Sequence, residues 1–171
     1  MTRRIIYQTQ DGGIAIIIPS GELPLEEVAR KDVPAGVPFK IIDTVEVPDD
    51  RTFRSAWEAD MTSPHGVGIG QQAWFIEKYE SEIEAINAEE APAAPETLEA
   101  APKDQAGFPE DFTPEQIDAA YDELVAQVAA LNEQYTAAHV EDVAQWEASK
   151  AARIAQLKKM IAVQRAEMEA A

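Results

Sequence analysis

Apolar runs near the start of the chain predict a β-hairpin. Two runs, at residues 3–8 and 14–19, flank the turn letters DGG at residues 11–13. Glycine adopts positive φ at little cost, and the tight turns that join hairpin strands require such a conformation. Isoleucine occupies both faces of the second run, so we expect both faces of the hairpin to be covered.

The following 70 or so residues alternate between helical and extended patterns. The stretch LPLEEVARKD (23–32) predicts a helix, because acids occupy its first turn and bases its last. The stretch FKIIDTVEV (39–47) predicts a third strand, and DDRTFRSAWEAD (49–60) predicts a short helix. Residues 61–70 are predicted to be a loop, and the apolar spacing in 71–90 predicts a further helix.

Residues 91–112 have the composition of a linker. This segment is rich in alanine, proline and glutamate, and Leu98 is the one bulky apolar residue before position 108. Such a segment can still be ordered if it lies along a partner.

A long amphipathic helical pattern fills residues 113–171. Thr113 and Gln116 form a capping-box pattern around Pro114, and neither proline nor glycine follows. The apolar positions keep heptad spacing up to Tyr135, slip near residues 136–142, and resume in a shifted register. The slip indicates either a stutter within one helix or the bend of a helical hairpin.

As one straight helix this region would be about 85 Å long at 1.5 Å per residue, too long to bury its own apolar stripe. We therefore predict that the stripe binds a partner, a second copy of the chain, or the chain itself. The predicted partner-binding residues are Ile117, Tyr121, Leu124, Val128, Leu131, Tyr135, Ile154, Leu157 and Ile161.

These elements together predict an α+β protein. A small N-terminal domain containing the β-hairpin (residues 1–60) precedes a loop and helix (61–90) and a linker (91–112). The last segment, 113–171, is a long α-helical region, either a coiled coil or a helical hairpin.

Charge and composition narrow the classes of partner. The chain has 32 acidic and 14 basic residues, a formal charge of −18, so we expect neither nucleic acid nor a membrane as a partner. Cysteine is absent, which excludes disulfides and thiolate metal sites. The N-terminus lacks the pattern of a signal peptide and no apolar run reaches about 20 residues, so we expect a soluble, cytoplasmic protein.

Candidate catalytic chemistry is sparse. His65 and His139 lack the three or four converging ligands that a metal site needs. The stretch GVGIG (66–70) does not follow a hydrophobic strand, as a dinucleotide loop would. Arg51 and Arg54 bracket Phe53 and are read either as partners of nearby acids or as a contact point for another protein. We predict no catalytic, cofactor-binding or metal-binding residue.

Three motifs, in order, carry a family resemblance. IIYQTQDGGIAIIIP, EEVARKDVPAGVPFKIID and VPDDRTFRSAWEAD resemble small tail-associated or tail-fibre-assembly proteins of tailed bacteriophages over about residues 3–60. Those relatives typically continue into a basic helical tail, whereas this chain continues into an acidic helix, a linker and a heptad helix. The resemblance implies a role in the phage tail and supplies no catalytic residues.

The resemblance and the helical region together suggest a non-enzymatic assembly chaperone for a tail fibre. The alternative is a structural virion component, a fibre or baseplate adaptor, oligomerised or docked by its C-terminal helix. The expected partner is a tail-fibre or other tail protein, with a second copy of the chain also considered. The expected location is the host cytoplasm during assembly, or the virion tail.

Overall fold

The N-terminal hairpin forms as predicted, and residues 9–13 connect its two strands. The computed structural model describes residues 3–48 and 57–170 of the chain. Strand β1 (Arg3–Gln8) pairs antiparallel with strand β2 (Ile14–Ile17). The N–H of Thr9 donates to the carbonyl of Gly13 at 2.8 Å, and Gly12 between them has φ of +88°. This left-handed conformation is the reason for glycine at the turn.

Two more strands complete an antiparallel sheet. Strand β3 (Pro38–Asp43) pairs with β1, and the two-residue strand β4 (Gly66–Val67) pairs with β3, giving the order β2-β1-β3-β4. Strand β3 is shorter than predicted, because the backbone N–H of Asp43 donates to the Glu46 carboxylate at 2.9 Å and starts a 3₁₀ turn. Val45, predicted to lie in the strand, is consequently 91% exposed.

Helix α1 (Leu25–Asp32) covers one face of the sheet. It carries acids in its first turn and bases in its last, as the sequence predicts. The buried cluster between helix and sheet consists of Ile5, Val28, Ala29, Val33 and Phe39. The opposite face also bears buried isoleucines, Ile6 and Ile14.

The glycines of GVGIG have a structural role. Instead of a simple loop, this stretch forms β4 and then passes against the end of α1. Gly68 donates its N–H to the carbonyl of Val37 at 2.9 Å. A Cβ atom at Gly68 would lie 2.4 Å from the carbonyl oxygen of Val33, so only glycine fits without a backbone shift.

Replacing Gly68 with alanine therefore tests the close packing of Gly68 against the carbonyl of Val33. We expect Gly68→Ala to lower the free energy of unfolding by about 1–3 kcal/mol, because the added methyl group must displace backbone. Urea denaturation measures the loss. Ser63→Ala, on the exposed surface nearby, is the control and should change stability by less than about 0.5 kcal/mol. Equal stability of the two variants would contradict the packing explanation.

The C-terminal region is one continuous helix. Helix α3 spans Pro114–Ala170, 57 residues, so the helical-hairpin alternative is wrong. The predicted capping box is present: the N–H of Thr113 donates to Gln116 Oε1 at 2.7 Å, and the N–H of Gln116 donates to Thr113 Oγ1 at 3.3 Å. Hydrogen bonds from the Glu115 backbone N–H and the Thr113 hydroxyl lower the pKa of the Glu115 carboxyl.

Helix α2 (Gln71–Asn87) occupies most of the segment predicted to be helical. Most of the short helix predicted at 49–60 cannot be compared, because residues 49–56, with Arg51, Phe53 and Arg54, lie outside the described residues; residues 57–60 are not helical.

The chain divides into two compact units. Unit one comprises Met1–Ala85 and Ala155–Ala171, and unit two comprises Ile86–Ile154. In unit one, Arg165 pairs with Glu80 at 3.0 Å and Arg30 with Glu77 at 2.8 Å, and these ion pairs join helix segments of that unit. The small antiparallel sheet and the long C-terminal helix confirm the α+β prediction.

Candidate partner-binding surface

The first half of α3 buries a stripe of side chains within unit two. Ile117, Tyr121, Leu124 and Val128 are half-buried, in agreement with their predicted positions on one helix face. Ile154 is half-buried at the end of the same unit. These residues contribute to packing within the chain and offer a partner only part of their surface.

The register slip occurs at Asn132, earlier than the sequence predicts. Between residues 132 and 150 the half-buried positions are Asn132, His139, Val143, Trp146 and Lys150. In a heptad pattern, spacings of four and three residues alternate, but here two spacings of four follow each other, from Leu124 to Val128 and from Val128 to Asn132. The half-buried stripe is therefore displaced by one residue from the heptad positions. A straight helix has 3.6 residues per turn, so strict heptad positions gradually rotate away from a fixed neighbour, and one extra residue restores the contact.

The segment predicted to be a linker lies along α3. The side-chain amide of Asn132 makes two hydrogen bonds to the backbone of Leu98: it accepts the N–H at 2.8 Å and donates to the carbonyl at 2.9 Å. Lys103 pairs with Asp118, and its ammonium lies 6.0 Å from the ring centre of Tyr121. Polar contacts thus hold an almost fully exposed segment on the helix.

A second set of contacts anchors the residues just before this segment. Lys150 donates to the backbone carbonyls of Asn87 and Glu89, both at 3.1 Å. Arg153 pairs with the Glu89 carboxylate at 2.9 Å. The segment is therefore attached to α3 at several points along unit two.

Replacing Asn132 with alanine should release the segment at Leu98. Two hydrogen bonds worth about 1 kcal/mol each are lost, so we expect hydrogen exchange of the Leu98 amide to accelerate by about tenfold or more. Alanine favours helix more than asparagine does, so the helicity of α3 itself should not fall.

Gln134→Ala is the matched control, because Gln134 is exposed and makes no side-chain hydrogen bond among the described residues. Unchanged exchange at Leu98 in Asn132→Ala would show that Asn132 does not hold the segment.

The register step at Asn132 turns two large apolar side chains outward. Leu131 is 40% exposed and Tyr135 is 46% exposed, and their spacing of four residues places them on the same helix face. We call Leu131 and Tyr135 the outer ridge.

Two of the predicted partner-binding residues are instead core residues of unit one. Leu157 and Ile161 are each 7% exposed. Ile161 and Ile83 line a groove of about 620 Å³ within that unit, next to the ion pair between Arg165 and Glu80. Buried side chains present no surface to a partner, so the structure assigns these two to packing within the chain.

His65 forms hydrogen bonds with strand β3. The backbone N–H of His65 donates to the carbonyl of Phe39 at 2.9 Å, and its Nδ1 accepts the N–H of Ile41 at 3.0 Å, so this side chain continues the hydrogen bonding of β3. Within residues 3–48 and 57–170, no three acidic or histidine side chains group as metal ligands. Nor does any helix in these ranges have the length and apolarity needed to cross a membrane.

Sequence reasoning missed the role of Asn132. A signal was available, because asparagine is a weak helix former and here interrupts an alanine-rich stretch. The pattern alone could not say which backbone Asn132 would bind, since Leu98 lies 34 residues earlier.

No family model, curated protein or solved structure matches the chain.

Proposed function

We infer that this protein is a non-enzymatic assembly chaperone for a bacteriophage tail fibre. In this proposal the outer ridge binds apolar surface of the fibre protein until the fibre has oligomerised. The observation that carries the proposal is the outward exposure of Leu131 and Tyr135 on a helix whose other apolar stripe is already partly covered.

Exposed large apolar side chains indicate a binding site when they are adjacent to one another. Single exposed residues are common on protein surfaces, but neighbours four residues apart on one helix face form a continuous anchor. Aromatic residues such as Tyr135 are enriched among the residues that dominate binding energy. The resemblance of residues 3–60 to phage tail-associated proteins supports a tail protein as the partner.

Co-expression tests the proposal. The tail-fibre protein of the same phage is produced with and without this chain, and soluble fibre trimer is measured by size-exclusion chromatography with light scattering. We expect soluble trimer to increase several-fold when the chain is present, because the covered apolar surface no longer aggregates. An equal yield of trimer in its absence would overturn the chaperone role.

The protein composition of the mature phage particle distinguishes an assembly chaperone from a structural virion component. A chaperone is released, so mass spectrometry of purified particles should detect this chain far below the copy number of the fibre. Stoichiometric presence would instead make the chain a virion component, a fibre or baseplate adaptor docked by α3.

A further inference from the structure

Most of the negative charge of the chain is concentrated in unit two. Residues 86–154 contain fifteen Asp and Glu side chains and three Lys and Arg side chains, a net charge of −12 out of −18. Unit one is larger and carries the remaining −6. A charge this uneven creates a field that selects the partners of the more acidic unit.

The three cations of unit two are already engaged within it. Lys103 pairs with Asp118, Lys150 donates to two backbone carbonyls, and Arg153 pairs with Glu89. The remaining carboxylates of unit two have no cationic partner among the described residues. The unpaired charge that unit two offers to another molecule is therefore negative.

Acidic side chains border the outer ridge. Asp142 follows Tyr135 by seven residues and so lies on the same helix face. Glu123 and Glu141 are eighteen positions apart, which is five turns, so they share one flank of that face. All three side chains are exposed. The ridge thus combines an apolar anchor with a rim of negative charge.

We propose that the occupant of the outer ridge is a basic amphipathic helix of the partner protein. Its apolar side chains pack on Leu131 and Tyr135, and its Lys and Arg side chains face Glu123, Glu141 and Asp142. This inference rests on the proposed function and specifies the chemistry of the fibre segment that is bound. A second copy of the chain fits less well at this place, because it would bring a second net charge of −12 against the first.

A pair of synthetic peptides provides the probe. One is an amphipathic helix of about 20 residues with leucine at heptad positions and lysine elsewhere, long enough to span the ridge and its rim. The other has glutamate in place of every lysine. Binding of each to the full chain is measured by fluorescence anisotropy at about 0.1 M and about 1 M salt.

Two triple variants locate the charge effect. Glu123→Gln with Glu141→Gln and Asp142→Asn neutralises the rim. Glu22→Gln with Glu82→Gln and Glu84→Gln removes the same charge from exposed positions of unit one and is the matched control. We expect the lysine peptide to bind about tenfold more weakly at high salt and at least about fivefold more weakly to the rim variant.

The control variant should bind the lysine peptide nearly as the parent does, and the glutamate peptide should not bind. Equal weakening by both triple variants, equal binding of both peptides, or self-association of the parent chain through the outer ridge would each overturn the inference.

The same titration with the fibre protein separates the two proposals. Fibre binding that is insensitive to salt and to the rim variant would refute the basic partner while leaving the chaperone function intact. Binding of the lysine peptide without binding of the fibre would refute the chaperone function while supporting the chemistry of the ridge.

Discussion

Replacing Leu131 and Tyr135 by aspartate is expected to weaken binding of the proposed tail-fibre partner by at least about thirtyfold. Truncation of central apolar anchors commonly costs about 2 kcal/mol or more, and a carboxylate in an apolar interface adds a desolvation cost. Both side chains are substantially exposed in the free chain, so its fold should be retained. Surface plasmon resonance measures the affinity, and circular dichroism checks the helix.

The matched control introduces aspartate at another pair of exposed apolar residues. Ile18→Asp with Val45→Asp changes two exposed residues of unit one by the same amount of charge. We expect fibre affinity to stay within about threefold of the parent. If the control weakened binding as much as the ridge variant, the effect would come from added negative charge and the ridge would not be the binding site.

The two core residues of α3 offer a contrast. Leu157→Asp and Ile161→Asp place a charge at buried positions, so they should destabilise unit one and not act on binding alone. Loss of thermal stability together with binding would agree with their burial. If a variant stayed stable and folded but lost only fibre binding, Leu157 and Ile161 would have to be assigned to the partner-binding surface after all.

Replacing Phe39 with alanine is expected to lower the free energy of unfolding of unit one by about 3–5 kcal/mol. Phe39 is 2% exposed, lies on β3, one of the two central strands, and packs in the cluster with Ile5 and Val28. Its removal loses the transfer free energy of the ring and leaves a cavity. Small domains have about 5–15 kcal/mol of stability, so this loss is a large fraction of the total.

Tryptophan fluorescence during urea denaturation measures this effect. Trp57 and Trp74 lie in unit one and Trp146 in unit two, so a Trp146→Phe background restricts the signal to unit one. Val45→Ala is the control, since this residue is almost fully exposed and should change stability by less than about 0.5 kcal/mol. Coincident unfolding curves for the two variants would contradict the assignment of Phe39 to the core.

Local chemistry made several elements predictable. The hairpin follows from glycine at a turn with positive φ, and the polarity of α1 follows from charges that complement its dipole. The start of α3 follows from the Thr113 and Gln116 capping box, whose partners are three residues apart. In each case the groups that stabilise the structure are neighbours along the chain, so a short stretch of sequence contains the whole interaction.

Other features depend on residues far apart in the chain. Strand β4 exists because Gly66 can lie against the ring of Phe39, 27 positions earlier, and its two residues carry no strand pattern of their own. The outer ridge exists because Asn132, and not Leu131, faces the backbone of Leu98. A periodic pattern shows that a helix has an apolar stripe. Shifting the contact register by one residue rotates that stripe by about 100° relative to its neighbours at almost no cost in local energy, so the pattern does not fix the register. The amino-acid sequence by itself determined that α3 would form and be amphipathic. Only the tertiary contacts decided which of its side chains remain outside, because the choice rests on hydrogen bonds between distant segments.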